Sequence, residues 1–299
     1  MQYRDEARID TTEVRRGGGS GGRGGGRRSG GRVAMGGGVG GVVVLVLVLL
    51  FGDNLGISVN DLMGPAQPGQ SPQNVQEDSA CRQGEDIKAN PECRWDAYAS
   101  ATERYWQTVL SDYESAPMEI FSGQVSTACG TGSSEMRPFY CPGDGVVYLD
   151  TQFTEKLLTN LGADGGDAAE AYVVAHEYGH HMSNLTGQMQ EARAGGNDTG
   201  PSSNQVRLEL QADCYAGVFF ANTVTDPESP IKEVTRDDLA RVADAASAVG
   251  DDHIQEQGSG RVVPESWTHG SSEMRQRWVS KGFDTGDPNV CDTFATDDL

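Results

Sequence analysis

His176 and His180 stand four residues apart, with Glu177 directly after the first of them. On a helix, four residues make slightly more than one turn, so both imidazoles leave the same face and can share one metal ion. Two neutral imidazoles and a carboxylate suit zinc, which keeps a position open for water and lowers the pKa of that water. Glu177 stands where it can take the proton that such a water gives up. The same spacing also describes a histidine pair on a wet helix surface, so the residues around it have to decide.

The element that must hold this trio is a helix predicted over Asp167 to Leu185. A second helix is predicted to start at Ser202 or Ser203 and to run through Val206, Leu208, Glu209, Leu210, Ala212, Asp213, Cys214, Tyr215 and Ala216. Glu209 and Asp213 lie four apart on an otherwise apolar helix, where two carboxylates are costly unless something cationic meets them. A zinc ion supplies that cation. Glu209 is then the third ligand after His176 and His180, and Asp213 accepts the N–H of a ligand imidazole. The competing reading is a solvated acidic face.

HExxH followed by E-x-x-A-D, here His176 to His180 and Glu209 to Asp213, is the pattern of the gluzincin metallopeptidases. With Cys214 and Tyr215 following, and His269-Gly270-Ser271-Ser272 later, the sequence resembles the bacterial Putative neutral zinc metallopeptidase family over roughly residues 81–294. The resemblance implies a mostly helical α+β zincin-like domain with a small sheet. It also implies Zn²⁺ as cofactor and a peptide or protein as substrate. It sets His269 at a helix start, where that side chain is a candidate for donating to the oxyanion of the reaction; a capping or packing histidine is the alternative. His253 lies in a more acidic, polar stretch. His181 follows a proposed ligand but points about 100° away, which gives it a supporting or surface place rather than a ligand's. The rival functions are a catalytically silent zinc-binding envelope scaffold and an amidase acting on cell-wall peptides. The intact Glu177 argues against the first, since a purely structural site needs no base.

The net charge is −21, and it is uneven: residues 1–52 hold eight Arg and four acidic residues, leaving the remainder at −25. Such a surface repels phosphates and excludes nucleic acid as an expected partner. Residues 1–32 are Arg- and Gly-rich and are predicted to be disordered. Val33 to Phe51 carries no charge for 19 residues, about 28 Å of helix, and is expected to span a membrane once. A cleaved signal peptide is the alternative, though no small-residue cleavage site follows. The upstream arginines would leave the N-terminus cytoplasmic and the catalytic domain extracytoplasmic. Residues 53–80, with Pro65, Pro68 and Pro72, read as a linker, and 81–299 as the zinc metallopeptidase domain.

An even count of six cysteines, four of them in local pairs, suggests disulfides, with Cys81–Cys93 and Cys129–Cys141 closing short loops. Elimination then leaves Cys214–Cys291, which would pin the C-terminal tail to the helix carrying Glu209. A buried free thiol at Cys214 is the alternative. Among the remaining elements, a helix is expected from beyond Cys93 to Ser115. Strands are expected at Glu119 to Val125 and Gly145 to Leu149, and helices from Thr235 and from Ser271. The strand ending at Leu149 is a candidate for pairing with substrate backbone, with core filling by Tyr148 as the alternative.

Overall fold

The computed structural model describes residues 1–17, 80–196 and 198–299. Two helices at its centre carry most of the expected chemistry. The first, α4 (Asp167–Leu185), begins after Gly165 and Gly166, is rich in alanine, and has Asp167 and Glu170 in its first turn. Alanine is the strongest helix former, and acidic side chains favour a helix N-terminus. The second, α6 (Asn204–Asn222), is started by Ser203, whose hydroxyl accepts the Val206 N–H at 3.2 Å. It is buried on nearly every side from Val206 to Phe220, with Gln211 and Asp213 as polar groups inside an otherwise mostly apolar surround.

Glycines set how closely these helices approach. A Cβ on Gly179 would lie 2.8 Å from the Cα and the carbonyl oxygen of Ala212, so α4 and α6 touch backbone to backbone. A third helix, α9 (Ser272–Thr285), is capped by Ser271, which accepts the Met274 N–H. It packs on α6 in the same way, with Gly217 against the Val279 carbonyl and Gly282 against the Cys214 carbonyl. The Cys214–Cys291 disulfide ties the C-terminal turn to this pair, and Gln211 donates to the Cys291 carbonyl beside it at 3.1 Å. Cys81–Cys93 and Cys129–Cys141 are also bonded, so no described cysteine is free.

Around this core lie α1 (Asp86–Ala89), α2 (Cys93–Val109), α3 (Thr151–Asn160), α5 (Gln188–Ala194), α7 (Arg236–Ala248) and α8 (Asp251–Ser259). Thr235 and Asp238 form a reciprocal capping box at the start of α7. A four-stranded sheet has the order β2 (Val14–Arg16), β3 (Met118–Ile120), β7 (Val146–Leu149), β6 (Phe139–Cys141). The first three strands are parallel, and β6 runs antiparallel at the edge. The hairpin β4 (Gln124–Thr127) to β5 (Gly130–Ser133) and the pair β1 (Gln2–Tyr3) with β8 (Ile231–Glu233) complete the strands. The mixed helical fold with a small sheet is therefore as expected.

The N-terminus is not. Residues 1–17 fold with the domain: β1 pairs with β8, β2 pairs with β3, and Arg8 bridges to Gln83. Ile9 is buried against Cys81, Ile87, Cys93 and Ala97, and the Tyr3 hydroxyl donates to Asp167 at 2.8 Å. Composition misled here because a two- or three-residue strand needs only an edge to join and a single apolar anchor. This pairing also corrects the single-pass membrane topology. One crossing between Gly17 and Ala80 would hold β2 and β3 on opposite faces of the bilayer, yet the two strands are hydrogen-bonded. No helix among the described residues is long and apolar enough to cross a membrane. The expected span Val33 to Phe51 and the linker up to Ser79 lie outside the described residues.

Smaller corrections have local causes. The helix expected to reach Ser115 ends at Val109, where Leu110 is already extended and its N–H closes the last turn on the Trp106 carbonyl. The strand expected over Glu119 to Val125 is two strands, broken by a turn at Ser122 and Gly123. β7 is flanked by β3 and β6 and has no free edge, so it cannot add a substrate strand. Tyr148 on it is 4 % exposed and stacks on Phe139, which makes it core.

Candidate metal centre

The i,i+4 spacing on α4 places the His176 and His180 rings edge to face, 4.7 Å apart between centroids. Glu209 reaches across from α6, with Oε2 3.3 Å from His176 Nε2 and Oε1 3.5 Å from His180 Nε2. One ligand atom from each of the three residues lies within 4.8 Å of the others. In a tetrahedral site with bonds of 2.0–2.1 Å, neighbouring ligand atoms are roughly 3.3–3.4 Å apart. The two nitrogen–oxygen distances are of that size but run to different oxygens of Glu209, and the donor set is one that holds a divalent ion.

Behind the ligands is a buried ionic support. Asp213 is fully buried, and its Oδ1 lies 2.8 Å from His176 Nδ1. With a hydrogen on Nδ1, a neutral His176 would present its Nε2 lone pair to a metal ion. Arg275, on α9, donates to both Asp213 oxygens at 2.8 and 2.9 Å, and the Tyr172 hydroxyl donates to Oδ1 at 2.6 Å. Burial alone would raise the Asp213 carboxyl, but Arg275 and His176 hold it down at about 2. Burial works against the imidazolium of His176, and Asp213 overrides it, raising the group to about 9. At His180 burial prevails and lowers the group to about 4. Glu209 is held well below the usual carboxylate range by His269, His180 and His176, against the cost of burial. An ionised carboxylate facing two ring nitrogens asks for a cation.

Glu177 points into the same cavity but is not among the clustered ligand atoms. Burial raises its carboxyl to about 7, with His176 lowering it and Glu209 raising it. His269 comes from the loop before α9. Asp251, at the start of α8, accepts the backbone N–H groups of Thr268, His269 and Gly270 at 2.7, 2.6 and 3.1 Å. The His269 Nδ1 lies 2.8 Å from the Thr268 hydroxyl and 3.4 Å from Asp251 Oδ1, so Nε2 is the ring nitrogen left for the cavity.

The Putative neutral zinc metallopeptidase family model matches residues 1–294. The chain belongs to that family. It is 48% identical over 226 residues to an uncharacterized protein of Mycobacterium tuberculosis, covering 74% of this chain and 76% of that one. It is 37% identical over 255 residues to the uncharacterized protein YpfJ of Escherichia coli K12, covering 83% and 84% of the two chains. No solved structure matches it. The family match begins at residue 1 and so includes the strands that dock against the domain.

The cavity holds about 750 Å³ and is walled by β6, α3 and α5 as well as by the ligand helices. The structure thus brings His176, Glu177, His180, Glu209 and His269 to one cavity, with Asp213 directly behind them. His181 is 3 % exposed and lines none of it; its Nε2 and Nδ1 meet the Glu114 carbonyl and the Tyr140 hydroxyl. His253 meets the Leu161 carbonyl instead. Sequence reasoning missed Arg275, Tyr172 and Asp251. Arg275 and Tyr172 could have been sought as the donors that a buried Asp213 requires, whereas nothing local marks Asp251.

Proposed function

We propose that the chain is a zinc-dependent peptidase in which His176, His180 and Glu209 hold the metal and Glu177 is the general base. The observation that supports this best is geometric: His176, His180 and Glu209 each present one ligand atom within 4.8 Å of the others, and Glu177 lines the same cavity without belonging to that cluster. A carboxylate outside the ligand cluster can accept a proton in one step and return it in the next. Zinc, when bound, supplies Lewis acidity to a scissile carbonyl and to water. Glu177 takes the proton of the attacking water and delivers it to the leaving amine. His269, oriented through Nδ1, donates from Nε2 to the oxygen on which charge develops. Asp213, clamped by Arg275 and Tyr172, fixes the ring orientation of His176.

The test is direct. The purified chain is incubated with denatured protein and, separately, with cell-wall peptides, and new amino termini are identified by mass spectrometry. Internal cleavage of the denatured protein that stops on chelation and returns with zinc is expected. Products confined to cell-wall amides would replace the peptidase reading, and no product from either would remove it.

A further inference from the structure

Arg137 lies in the loop between β5 and β6, and its side chain lines the cavity beside Glu209 and His269. It is half-buried, and its Nε is enclosed without a hydrogen-bond partner. Among the described residues the guanidinium makes no ion pair. The charged groups nearest it are already engaged. Asp251 holds three backbone N–H groups and His269, Arg275 is paired with Asp213, and Glu209 faces the two imidazoles. Burial works against the Arg137 charge, with only partial relief from Asp251 and Glu209. A planar cation brought into a cavity without an anion is costly, and a neutral carbonyl compensates it far less well than a carboxylate gripped by two parallel N–H groups. Arg193, exposed on α5, lines the same cavity and adds a second positive charge in a chain whose net charge is −21.

We infer that Arg137 forms a carboxylate-binding subsite, so that the substrate carries a negative charge close to the scissile bond. This rests on the peptidase reading for its meaning, but it can be tested without turnover. The carboxylate can belong to an acidic side chain or to a free C-terminus; both present the same two oxygens to the guanidinium.

The experiment measures binding of three blocked tetrapeptides to the full, zinc-loaded chain carrying Glu177→Gln. One peptide is a neutral amide, one is the same sequence with a free terminal carboxyl, and one is the amide with a single glutamate. At least one charged peptide should bind about ten- to a hundredfold more tightly than the neutral amide. That advantage should vanish when Arg137→Gln is added and fall several-fold with Arg137→Lys, which keeps the charge but loses the fork. The peptide that gains identifies the source of the carboxylate. Equal binding of all three peptides, or an advantage that survives Arg137→Gln, overturns the subsite. If Arg137→Gln does not fold, Arg137→Lys decides, and an undiminished advantage in it overturns the proposal as well. A wild-type chain that binds the charged peptides selectively but cleaves nothing would defeat the peptidase reading alone.

Discussion

Gly179→Ala is the substitution that best isolates the packing beneath the metal centre. Gly179 sits between Glu177 and the ligand His180 on α4, and Ala212 lies three residues beyond Glu209 on α6. The added methyl would come 2.8 Å from Ala212 backbone atoms, whereas ordinary carbon contacts begin at about 3.5 Å. Neither partner is a flexible side-chain end, so the helices must part by roughly 0.7 Å or tilt. That displacement exceeds the roughly 0.5 Å within which a metal constellation must be held. Overpacking at such a contact costs about 1–3 kcal/mol. Two readings should therefore move together: the metal-free protein should melt several degrees lower, and zinc affinity, read by competition with a chromogenic chelator, should fall at least tenfold. A variant with reduced stability but unchanged zinc affinity would refute the coupling between helix spacing and ligand geometry. Unchanged values of both would refute the close contact itself.

Asp213→Asn leaves Arg275 buried without its anion, which should cost about 3–5 kcal/mol in chemical unfolding and weaken zinc binding about ten- to a hundredfold; a loss under 1 kcal/mol would show that Arg275 finds another partner. His269→Ala should bind zinc normally while turnover falls about a hundred- to a thousandfold with little change in KM, and unchanged turnover removes His269 from the chemistry. Away from the site, Glu103 is 5 % exposed and burial raises its carboxyl from 4.5 to about 7. The folded chain thus binds a proton that the unfolded chain has released, so this group's contribution falls as pH rises from 4.5 to 7 and levels off above that. The decline is of order 3 kcal/mol, and Glu103→Gln should remove it from the difference between the two unfolding curves; parallel curves would mean that Glu103 is ionised throughout.

The candidate metal-binding cluster was legible because α-helical spacing does the geometric work. His176 and His180 share a face by arithmetic alone, and Glu209 and Asp213 stood out as carboxylates in an apolar run. Helix starts at Ser203, Thr235 and Ser271 were equally readable, since capping is a local interaction. The disulfides followed from local spacing and elimination. What the sequence hid is carried by contacts between distant segments. Arg275 meets Asp213 only because Gly217 and Gly282 let α6 and α9 touch, and Asp251 meets His269 only because α8 begins where the later loop passes. The N-terminal strands were invisible for the same reason: Val14 to Arg16 has no pattern of its own and becomes a strand by pairing with β3. The single crossing expected from the uncharged run Val33 to Phe51 and the arginines before it fails because residues 1–17 pair with strands of the domain, a contact no local pattern announces.

In the proposed mechanism one glutamate holds the metal while another moves the proton. Zinc content and peptide hydrolysis measured side by side on Glu177→Gln and Glu209→Gln test it most directly. Glu177→Gln should retain about one zinc per chain and lose hydrolysis, since its carboxylate is the base and not a ligand. Glu209→Gln should lose zinc under the same dialysis. A Glu177→Gln protein that sheds its zinc along with its activity, or a Glu209→Gln protein that keeps its full metal, would contradict the assignment.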